Sequence, residues 1–328
     1  MGSTILITGG AGYIGSVTVE RLLEAGRRVV VLDDLSKGHR SAVHPDAVFQ
    51  EGDIGDVDLV GRLIEEHGVG SVVHFAAMSL VGESMTRPAQ YYDNNVVKGS
   101  RLLETMLEHD VRKIVFSSSA GVYGEPEAVP IPEDAPTEPV NVYGDTKRAF
   151  ERVLEWRSEH SGLGYISLRY FNAAGASTDR GEDHDPETHL IPLALQAVAG
   201  RRPGLTVFGN DYDTPDGTCV RDYIDIRDLS DAHIAALDAL DKGRKGVYNL
   251  GNGEGYSVLE VIETVESVAG EKVPWSYGAR REGDPARLVA SASLAREELE
   301  WRPSHPELAD MVGAAWDWMK RFPEGYRD

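Results

Sequence analysis

The sequence predicts an α/β chain: a doubly wound parallel sheet with a smaller α/β C-terminal lobe. Three observations predict it. Short apolar, β-branched runs alternate with helix-length stretches from the start, the pattern of strands buried on both faces and joined by helical crossovers. The first run, Ser3-Thr4-Ile5-Leu6-Ile7-Thr8, passes straight into a glycine-rich turn and then a helix-like stretch at 16–25. At 328 residues and 41% hydrophobic content, the chain has enough material for a sizeable core and two lobes.

The turn reads Gly9-Gly10-Ala11-Gly12-Tyr13-Ile14-Gly15. Glycines at 9, 12 and 15 permit a tight turn and let backbone approach a pyrophosphate. The following helix N-terminus offers free N–H groups and a partial positive charge. Glycine also punctuates ordinary turns, so the context decides. A second run, Arg28-Val29-Val30-Val31-Leu32, ends in Asp33-Asp34, and Asp33 lies 18 residues beyond Gly15. That is where an acid meets an adenine-ribose diol in a dinucleotide site. A carboxylate there repels a 2′-phosphate, so the cofactor expected is NAD.

The remaining elements follow in order. A polar loop at 35–46 leads to a strand at 47–50 that ends in Gly52-Asp53-Ile54. A helix at 57–67 and a strand at 71–75 come next, the strand ending in Ala76-Ala77. Ligands contact the C-terminal ends of strands in open α/β sheets, which makes Asp53, Ile54, Phe75, Ala76 and Ala77 cofactor candidates. The stretch 91–109 reads as one long helix, with Val96, Leu102, Leu103, Met106 and Leu107 at helical spacing. Asn94 and Asn95 lie inside it, and buried amides need partners, so one of them is expected to face backbone or cofactor. A strand at 113–116 ends in Ser117-Ser118-Ser119-Ala120-Gly121, where hydroxyls reach a ligand or tie down a turn. A Pro-rich loop at 125–139 precedes a helix that runs from Asn141 to about 160, and then a strand at 165–172.

Alternation becomes irregular beyond this point, and the lobe boundary is placed near Gly175. The second lobe reads as a helix at 190–199, a strand at 205–208, a loop into Cys219-Val220-Arg221-Asp222-Tyr223-Ile224 and a helix at 227–240. A strand at 247–250, a helix at 258–268, a basic loop at 279–284 and a last helix at 306–321 complete it.

Tyr143 and Lys147 are four apart on the predicted helix and share a face. A free tyrosine titrates near ~10 and is a poor base at neutrality. A neighbouring ammonium favours the phenolate. The pair is common on helix surfaces; its place after a serine-ended strand in an NAD-type βα array makes it a catalytic candidate.

Composition bounds the rest. A formal net charge of −21 argues against nucleic acid as partner, and an anionic substrate needs a local arginine cluster. The single cysteine, Cys219, excludes an intrachain disulfide and fits a reducing cytoplasm. No signal peptide or membrane-spanning run is expected, so the localisation expected is cytoplasmic, without a membrane partner. The ten histidines are scattered and show no paired spacing with cysteine, so no metal is expected.

Together these residues resemble the extended short-chain dehydrogenase/reductase family, in its NAD-dependent epimerase/dehydratase branch. The resemblance spans essentially the whole chain. It rests on Thr8-Gly9-Gly10-Ala11-Gly12-Tyr13-Ile14-Gly15, His74-Phe75-Ala76-Ala77, Tyr91-Tyr92-Asp93-Asn94-Asn95, Ser117-Ser118-Ser119-Ala120, Tyr143-Gly144-x-x-Lys147 and Arg169-Tyr170-Phe171-Asn172. In the second lobe it extends to Phe208-Gly209-Asn210-Asp211-Tyr212, Gly217-Thr218-Cys219-Val220-Arg221-Asp222-Tyr223 and Arg281-Glu282-Gly283-Asp284.

The resemblance implies interconversion of UDP-glucose and UDP-galactose by transient oxidation at C4 with tightly bound NAD. It implies an NAD-binding Rossmann domain at 1–175, with parts of about 220–252 packing back on it, and a UDP-sugar-binding lobe at 176–328. Ser119, Tyr143 and Lys147 would be catalytic. Gly9, Gly12, Tyr13, Ile14, Gly15, Asp33, Asp34, Ser36, Lys37, Asp53, Ile54, Phe75, Ala76, Ala77, Asn94, Ser117 and Tyr170 would line the cofactor, with Tyr143 and Lys147. Ser119, Phe171, Asn172, His189, Leu190, Thr206, Phe208, Arg221, Tyr223, Arg281, Asp284 and Leu288 would hold the UDP-sugar. A homodimer through the helices of Tyr91 and Tyr143 is implied as well.

The sequence departs from the family pattern in places. Met78-Ser79-Leu80 stands where many members carry a lysine for the nicotinamide ribose, Val142 where proline is common, and Asp225 where histidine is common. Leu288 aligns with a position that limits pocket size, so an N-acetylated sugar is expected to fit. A different UDP-sugar, a uronate or pentose, is an alternative. A nucleotide-sugar dehydratase is disfavoured because Ala120 and Gly121 stand where elimination needs an acid pair. A non-catalytic NAD-binding regulator is disfavoured because both Tyr143 and Lys147 are present.

Overall fold

Every residue of β1 (Thr4–Thr8) and β2 (Val29–Asp33) is buried, so the predicted central strands are covered on both faces. Between them, α1 (Tyr13–Glu24) starts directly after the glycine turn. The computed structural model describes residues 3–281 and 284–328. In chain order there follow β3 (Val48–Glu51), α2 (Val57–His67), β4 (Val69–His74), α3 (Val81–Thr86), α4 (Pro88–Tyr92), α5 (Gly99–Glu108), β5 (Lys113–Ser117), α6 (Val142–Ser161) and β6 (Gly164–Tyr170). Then come β7 (Asn172–Ala174), α7 (Leu190–Val198), β8 (Leu205–Phe208), β9 (Val220–Arg221), β10 (Tyr223–Asp225), α8 (Ile226–Asp241), β11 (Gly246–Leu250) and β12 (Tyr256–Ser257). The last are α9 (Val258–Ala269), β13 (Trp275–Gly278), β14 (Arg287–Leu288), α10 (Ser293–Glu298) and α11 (Leu308–Arg321).

The main sheet is seven-stranded in the order β11-β6-β5-β4-β1-β2-β3, and every pairing is parallel. Strand order reverses between β1 and β4, where the chain leaves β1 toward one edge and returns toward the other. That crevice is where open α/β sheets bind ligands. Local chemistry sets the helix limits. Asp56 accepts a hydrogen bond from the Leu59 N–H at the start of α2, and left-handed Gly68 ends it. Ser257 and Glu260 form a capping box on α9.

One core layer covers the α1 and α8 face, with Val17, Leu22, Leu229 and Ala236; it also takes in Ala292, Ala295, Leu299 and Trp301 from 292–301. The opposite layer packs α2, α5 and α6. A third core lies among α7, α9, α11 and β8. The chain therefore returns to the main sheet after leaving it. β11 extends the sheet beside β6, and α8 is tied to α1 by Thr18–Ser230 at 3.1 Å and Arg21–Asp231 at 2.6 Å. Among the described residues no helix is long and apolar enough to cross a membrane.

Two stretches differ from the sequence reading. The helix expected over 91–109 is α4, a π-helical stretch at Asp93–Lys98, and α5. Asn95 lies in the π stretch. Its amide accepts from the Met78 N–H at 2.8 Å and donates to the Met78 carbonyl at 3.0 Å and to Thr146 Oγ1 at 3.0 Å. A widened turn at such a pinning point interrupts the 3.6-residue rhythm without changing the apolar pattern. The strand expected over 165–172 ends at Tyr170; Asn172 opens β7, which pairs with β10 in a separate small sheet. α3 and α10 are too short to show a helical period.

Candidate active site

The glycine turn closes on itself. A Cβ at Gly15 would lie 2.1 Å from the Gly9 carbonyl oxygen, and one at Gly9, which has φ +75, would lie 2.6 Å from the Ala76 nitrogen. Only glycine lets β1, α1 and the end of β4 meet here. Gly12 caps α1 with no side-chain acceptor, and the first turn carries no acid. The helix N-terminus is thus left to an anion. Asp33 is buried at the end of β2; its carboxylate accepts from the Ala11 N–H at 2.9 Å and the Leu35 N–H at 2.9 Å. Burial pushes its pKa up and these two hydrogen bonds pull the other way. It ties β2 to the turn.

The other cofactor candidates spread along the same edge. The Asp34 carboxylate accepts from Ser36 N–H and Oγ. Lys37 Nζ donates to the Asp185 carbonyl at 2.9 Å. Asp53 pairs with Lys98 at 2.5 Å, which with the Gly55 N–H holds its carboxyl below the ordinary range against burial. Ile54 is buried in the α2-side core. Phe75 packs on His233 with ring centroids 4.6 Å apart, and the Ala76 N–H donates to the Thr8 carbonyl at 3.1 Å. Asn94 is half-buried and donates to the Asn95 amide oxygen. Of the two amides, Asn95 is the one that faces backbone.

The three serines after β5 have separate partners. Ser117 Oγ shares a hydrogen bond with Tyr170 OH at 2.8 Å, Ser118 Oγ donates to Glu151 at 2.7 Å, and Ser119 Oγ accepts from the Gly121 N–H at 3.1 Å. α6 begins at the Asn141 cap, whose side chain accepts from the Gly144 N–H at 2.8 Å. A Cβ at Gly144 would lie 2.2 Å from the Gly121 carbonyl oxygen. That close approach sets Tyr143 against the serine turn, where its hydroxyl hydrogen-bonds Ser119. Burial pushes the Tyr143 phenol up, and the Ser119 bond pulls it back. Lys147 Nζ donates to the Ser117 carbonyl at 2.8 Å and sits 5.8 Å from the centre of the Tyr143 ring. Burial pulls Lys147 down to about 7, against the push of Glu151. Desolvation dominates at Tyr143, and the ammonium effect expected from sequence is not seen there.

Beneath this triad lies a network the sequence reading missed. Glu151, fully buried, receives Arg169 Nε at 2.9 Å and Nη2 at 2.7 Å on its two oxygens, with Arg148 at 3.4 Å. Arg169 also donates to Tyr123 OH at 2.9 Å, which donates to Asn249. The available signal was Glu151 one turn beyond Lys147 on the same helix face.

The expected substrate residues divide in two. Arg221 pairs with Asp284, and the Arg281 guanidinium lies 4.2 Å over the Phe208 ring. Phe208 and Thr206 are exposed on β8. Glu282 and Gly283 of that motif lie outside the described residues. Asn172 donates to the Asp222 carbonyl at 3.0 Å. Leu288, paired in register with Arg221, packs beside Phe171 and Ala120, which puts it next to the serine turn. Tyr223, in contrast, is buried in the core of the second lobe with Ala174 and Leu195. Leu190 opens α7, and His189 precedes it. The His189 ring is held by Glu182 and Glu187. His184 joins the same group, so four donors meet in a loop where the sequence reading expected no metal.

Known proteins resemble this chain over nearly its whole length. The model of the NAD-dependent epimerase/dehydratase family matches residues 5–251. The UDP-glucose 4-epimerase of Halalkalibacterium halodurans is 53% identical over 325 residues, covering 98% of this chain and 97% of that protein. A solved UDP-glucose 4-epimerase superposes with a TM-score of 0.97 at 47% identity over 99% of this chain and 100% of its own. The Bifidobacterium longum UDP-glucose 4-epimerase, solved with NAD+ and UDP, gives a TM-score of 0.93 at 39% identity, over 99% and 100% of the two chains.

Proposed function

This chain belongs to the NAD-dependent epimerase/dehydratase family, and from that membership and its site we infer that it interconverts UDP-glucose and UDP-galactose with bound NAD. Its activity is UDP-glucose 4-epimerase activity. The observation that carries the mechanism is the packing of Gly144 on Gly121, which presents Tyr143 to Ser119 just beyond the C-terminal end of β5.

The residues present fit NAD. The uncapped N-terminus of α1 at Gly12, Tyr13 and Ile14 suits its pyrophosphate. Asp33, Asp34, Ser36 and Lys37 would hold the adenosine-ribose end, Asp53 and Ile54 would flank the adenine, and Phe75, Ala76, Ala77, Asn94, Ser117 and Tyr170 would complete the pocket. When bound, NAD supplies a hydride acceptor for the sugar C4 that is regenerated in each turnover.

Tyr143 Oη takes the proton of the sugar 4-hydroxyl, with Ser119 Oγ relaying it or holding the oxygen. Lys147 adds positive charge that favours the phenolate. The 4-keto sugar then presents its other face, and Tyr143 returns the proton. Arg221 and Arg281 suit the diphosphate, since planar, permanently charged donors match phosphate oxygens. Asn172, Leu190, Thr206, Phe208, Asp284 and Leu288 complete the sugar-nucleotide pocket. The chain works as an NAD lobe, residues 1–175 with the returning 220–252 part, and a UDP-sugar lobe. A homodimer is supported by exposed apolar side chains on the implied interface helices, Tyr92, Val97 and Trp156.

The experiment is incubation of purified protein with UDP-galactose, no NAD added, and separation of the products. UDP-glucose is expected. Silence that added NAD rescues would mean loosely held cofactor; silence with NAD shown to be bound would refute the glucose–galactose assignment.

A further inference from the structure

Residues 175–189, between β7 and α7, hold four donor groups outside the catalytic triad. Glu182, His184, Glu187 and His189 each place one ligand atom within 4.8 Å of the others. His189 Nδ1 lies 2.7 Å from Glu182 Oε1 and 2.9 Å from Glu187 Oε1. His184 Nδ1 lies 3.1 Å from the same Glu182 oxygen and 3.7 Å from Glu187 Oε2. The carboxylate side chains are only 8% and 7% exposed.

Hydrogen bonding crowds this arrangement: Glu187 Oε1 also accepts from the Thr188 and His189 N–H groups at 2.7 and 2.8 Å. One N–H aims well at one acceptor, yet two buried carboxylate oxygens of like charge crowd the single Nδ1 of His189. Two buried carboxylates need positive charge between them, which two imidazolium ions or one divalent cation supplies. A divalent cation at the centre meets both demands. Two carboxylates and two neutral imidazoles around it sum to zero charge. Tetrahedral bonds of about 2.0–2.2 Å place ligand atoms about 3.4 Å apart, inside the span seen here.

We propose that Glu182, His184, Glu187 and His189 form a tetrahedral site for a divalent transition metal, zinc, built from a single Glu-x-His-x-x-Glu-x-His segment. Imidazole nitrogen and carboxylate oxygen at four-fold coordination suit zinc. With all four positions taken by protein, the ion is structural. His189, the most exposed of the four, gives the ion its route in.

The place of the loop says what the ion stabilises. Tyr13 OH donates to the Gly175 carbonyl at 2.7 Å, and the Tyr13 ring meets His184 edge-on at 6.1 Å. Lys37 Nζ donates to the Asp185 carbonyl in the same loop. The metal thus fastens the loop over the phosphate-binding turn, and His189 acts as a ligand in place of the diphosphate contact that the family resemblance implies.

The test uses purified protein stripped with a strong chelator and titrated with ZnCl2 against a chromogenic indicator. One zinc per chain is expected for the wild type and none for His184→Ala. Cobalt(II) should give the intense visible absorption of a tetrahedral ion, and His184→Ala should lose it. No zinc uptake by the wild type overturns the proposal, as does full uptake with an unchanged cobalt spectrum in the variant. If the variant fails to fold, thermal melts of the stripped wild type decide. Zinc must raise its melting temperature, because a ligand of the native state alone stabilises it; identical melts with and without zinc overturn the proposal.

Discussion

Replacing Glu151 by Gln tests the buried network under the triad. The change keeps shape and removes one negative charge. Glu151 takes Arg169 Nε and Ser118 Oγ on one oxygen and Arg169 Nη2 on the other. A glutamine that keeps the first oxygen in place points an NH2 at Nη2 across 2.7 Å, donor against donor. One charge-assisted hydrogen bond, about 1.5–3 kcal/mol, is lost. Arg169 is 3% exposed and keeps its charge, with the retained amide oxygen, Tyr123 OH and the Glu133 carbonyl as neutral partners. Breaking a buried pair in this way costs about 3–5 kcal/mol in all. Urea unfolding at pH 7.5, with NAD saturating in both samples, measures it. The double variant E151Q/R169Q should cost less than the sum of its singles. The same variant carries a kinetic signature. Glu151 holds Lys147 up against burial, which has already pulled it to about 7. A lysine is charged below its pKa, so removing Glu151 shrinks the pH range of the ammonium from above. The alkaline limb of the kcat/KM profile should move to lower pH, with activity partly recovered near pH 6. A stability loss under about 1 kcal/mol, the scale of an exposed pair, together with an unmoved limb, would refute the reasoning.

Gly15→Ala puts a Cβ 2.1 Å from the Gly9 carbonyl oxygen; the variant should purify without NAD, read from the absorbance of the perchloric-acid supernatant. Tyr143→Phe should keep its NAD and lose about 10²–10⁴-fold in kcat; a smaller loss would move the proton-transfer role to another group. Leu288→Tyr fills space beside Phe171 and Ala120. It should lower kcat/KM for UDP-N-acetylglucosamine relative to UDP-glucose by about 10-fold or more, and no turnover of the N-acetylated sugar by the wild type would sink the pocket-size reading.

Legibility from sequence tracked locality. The βα units declare themselves through continuous apolar runs, and β8 falls on its expected residues because Leu205 and Val207 alternate with Thr206 and Phe208. The glycine turn was legible because Gly9 and Gly15 meet within one turn of chain. What stayed hidden depends on distant partners. The π stretch at Asn95 answers to Met78 and Thr146, and no periodicity records that. β12 and β14 are two-residue strands on either side of β9, too short to show a pattern. Tyr223 sits in a motif shared with Arg221, yet strand alternation turns its ring into the second core while Arg221 faces Asp284. The histidine–carboxylate loop escaped because its spacing mixes residue types and lies in an irregular segment.

The charges near the triad are arranged against the field of the whole molecule. The chain carries −21 overall, which works against every anion in the site. Around Tyr143, however, the buried groups are two cations, Lys147 and Arg169, and one anion, Glu151. Arg169 takes both Glu151 oxygens in a two-point bond, and Lys147 donates instead to the Ser117 carbonyl. The ammonium therefore lacks a full counterion in the protein framework. That is costly, as its depressed pKa records. A second negative charge closes the balance, and the phenolate of Tyr143, 5.8 Å from ring centre to Nζ, is the group placed to supply it. Deprotonation of Tyr143 then completes a neutral set of two cations and two anions. A lysine satisfied by its own carboxylate would leave the phenol without that incentive. The pairing of Glu151 with Arg169 is what keeps Lys147 available to Tyr143.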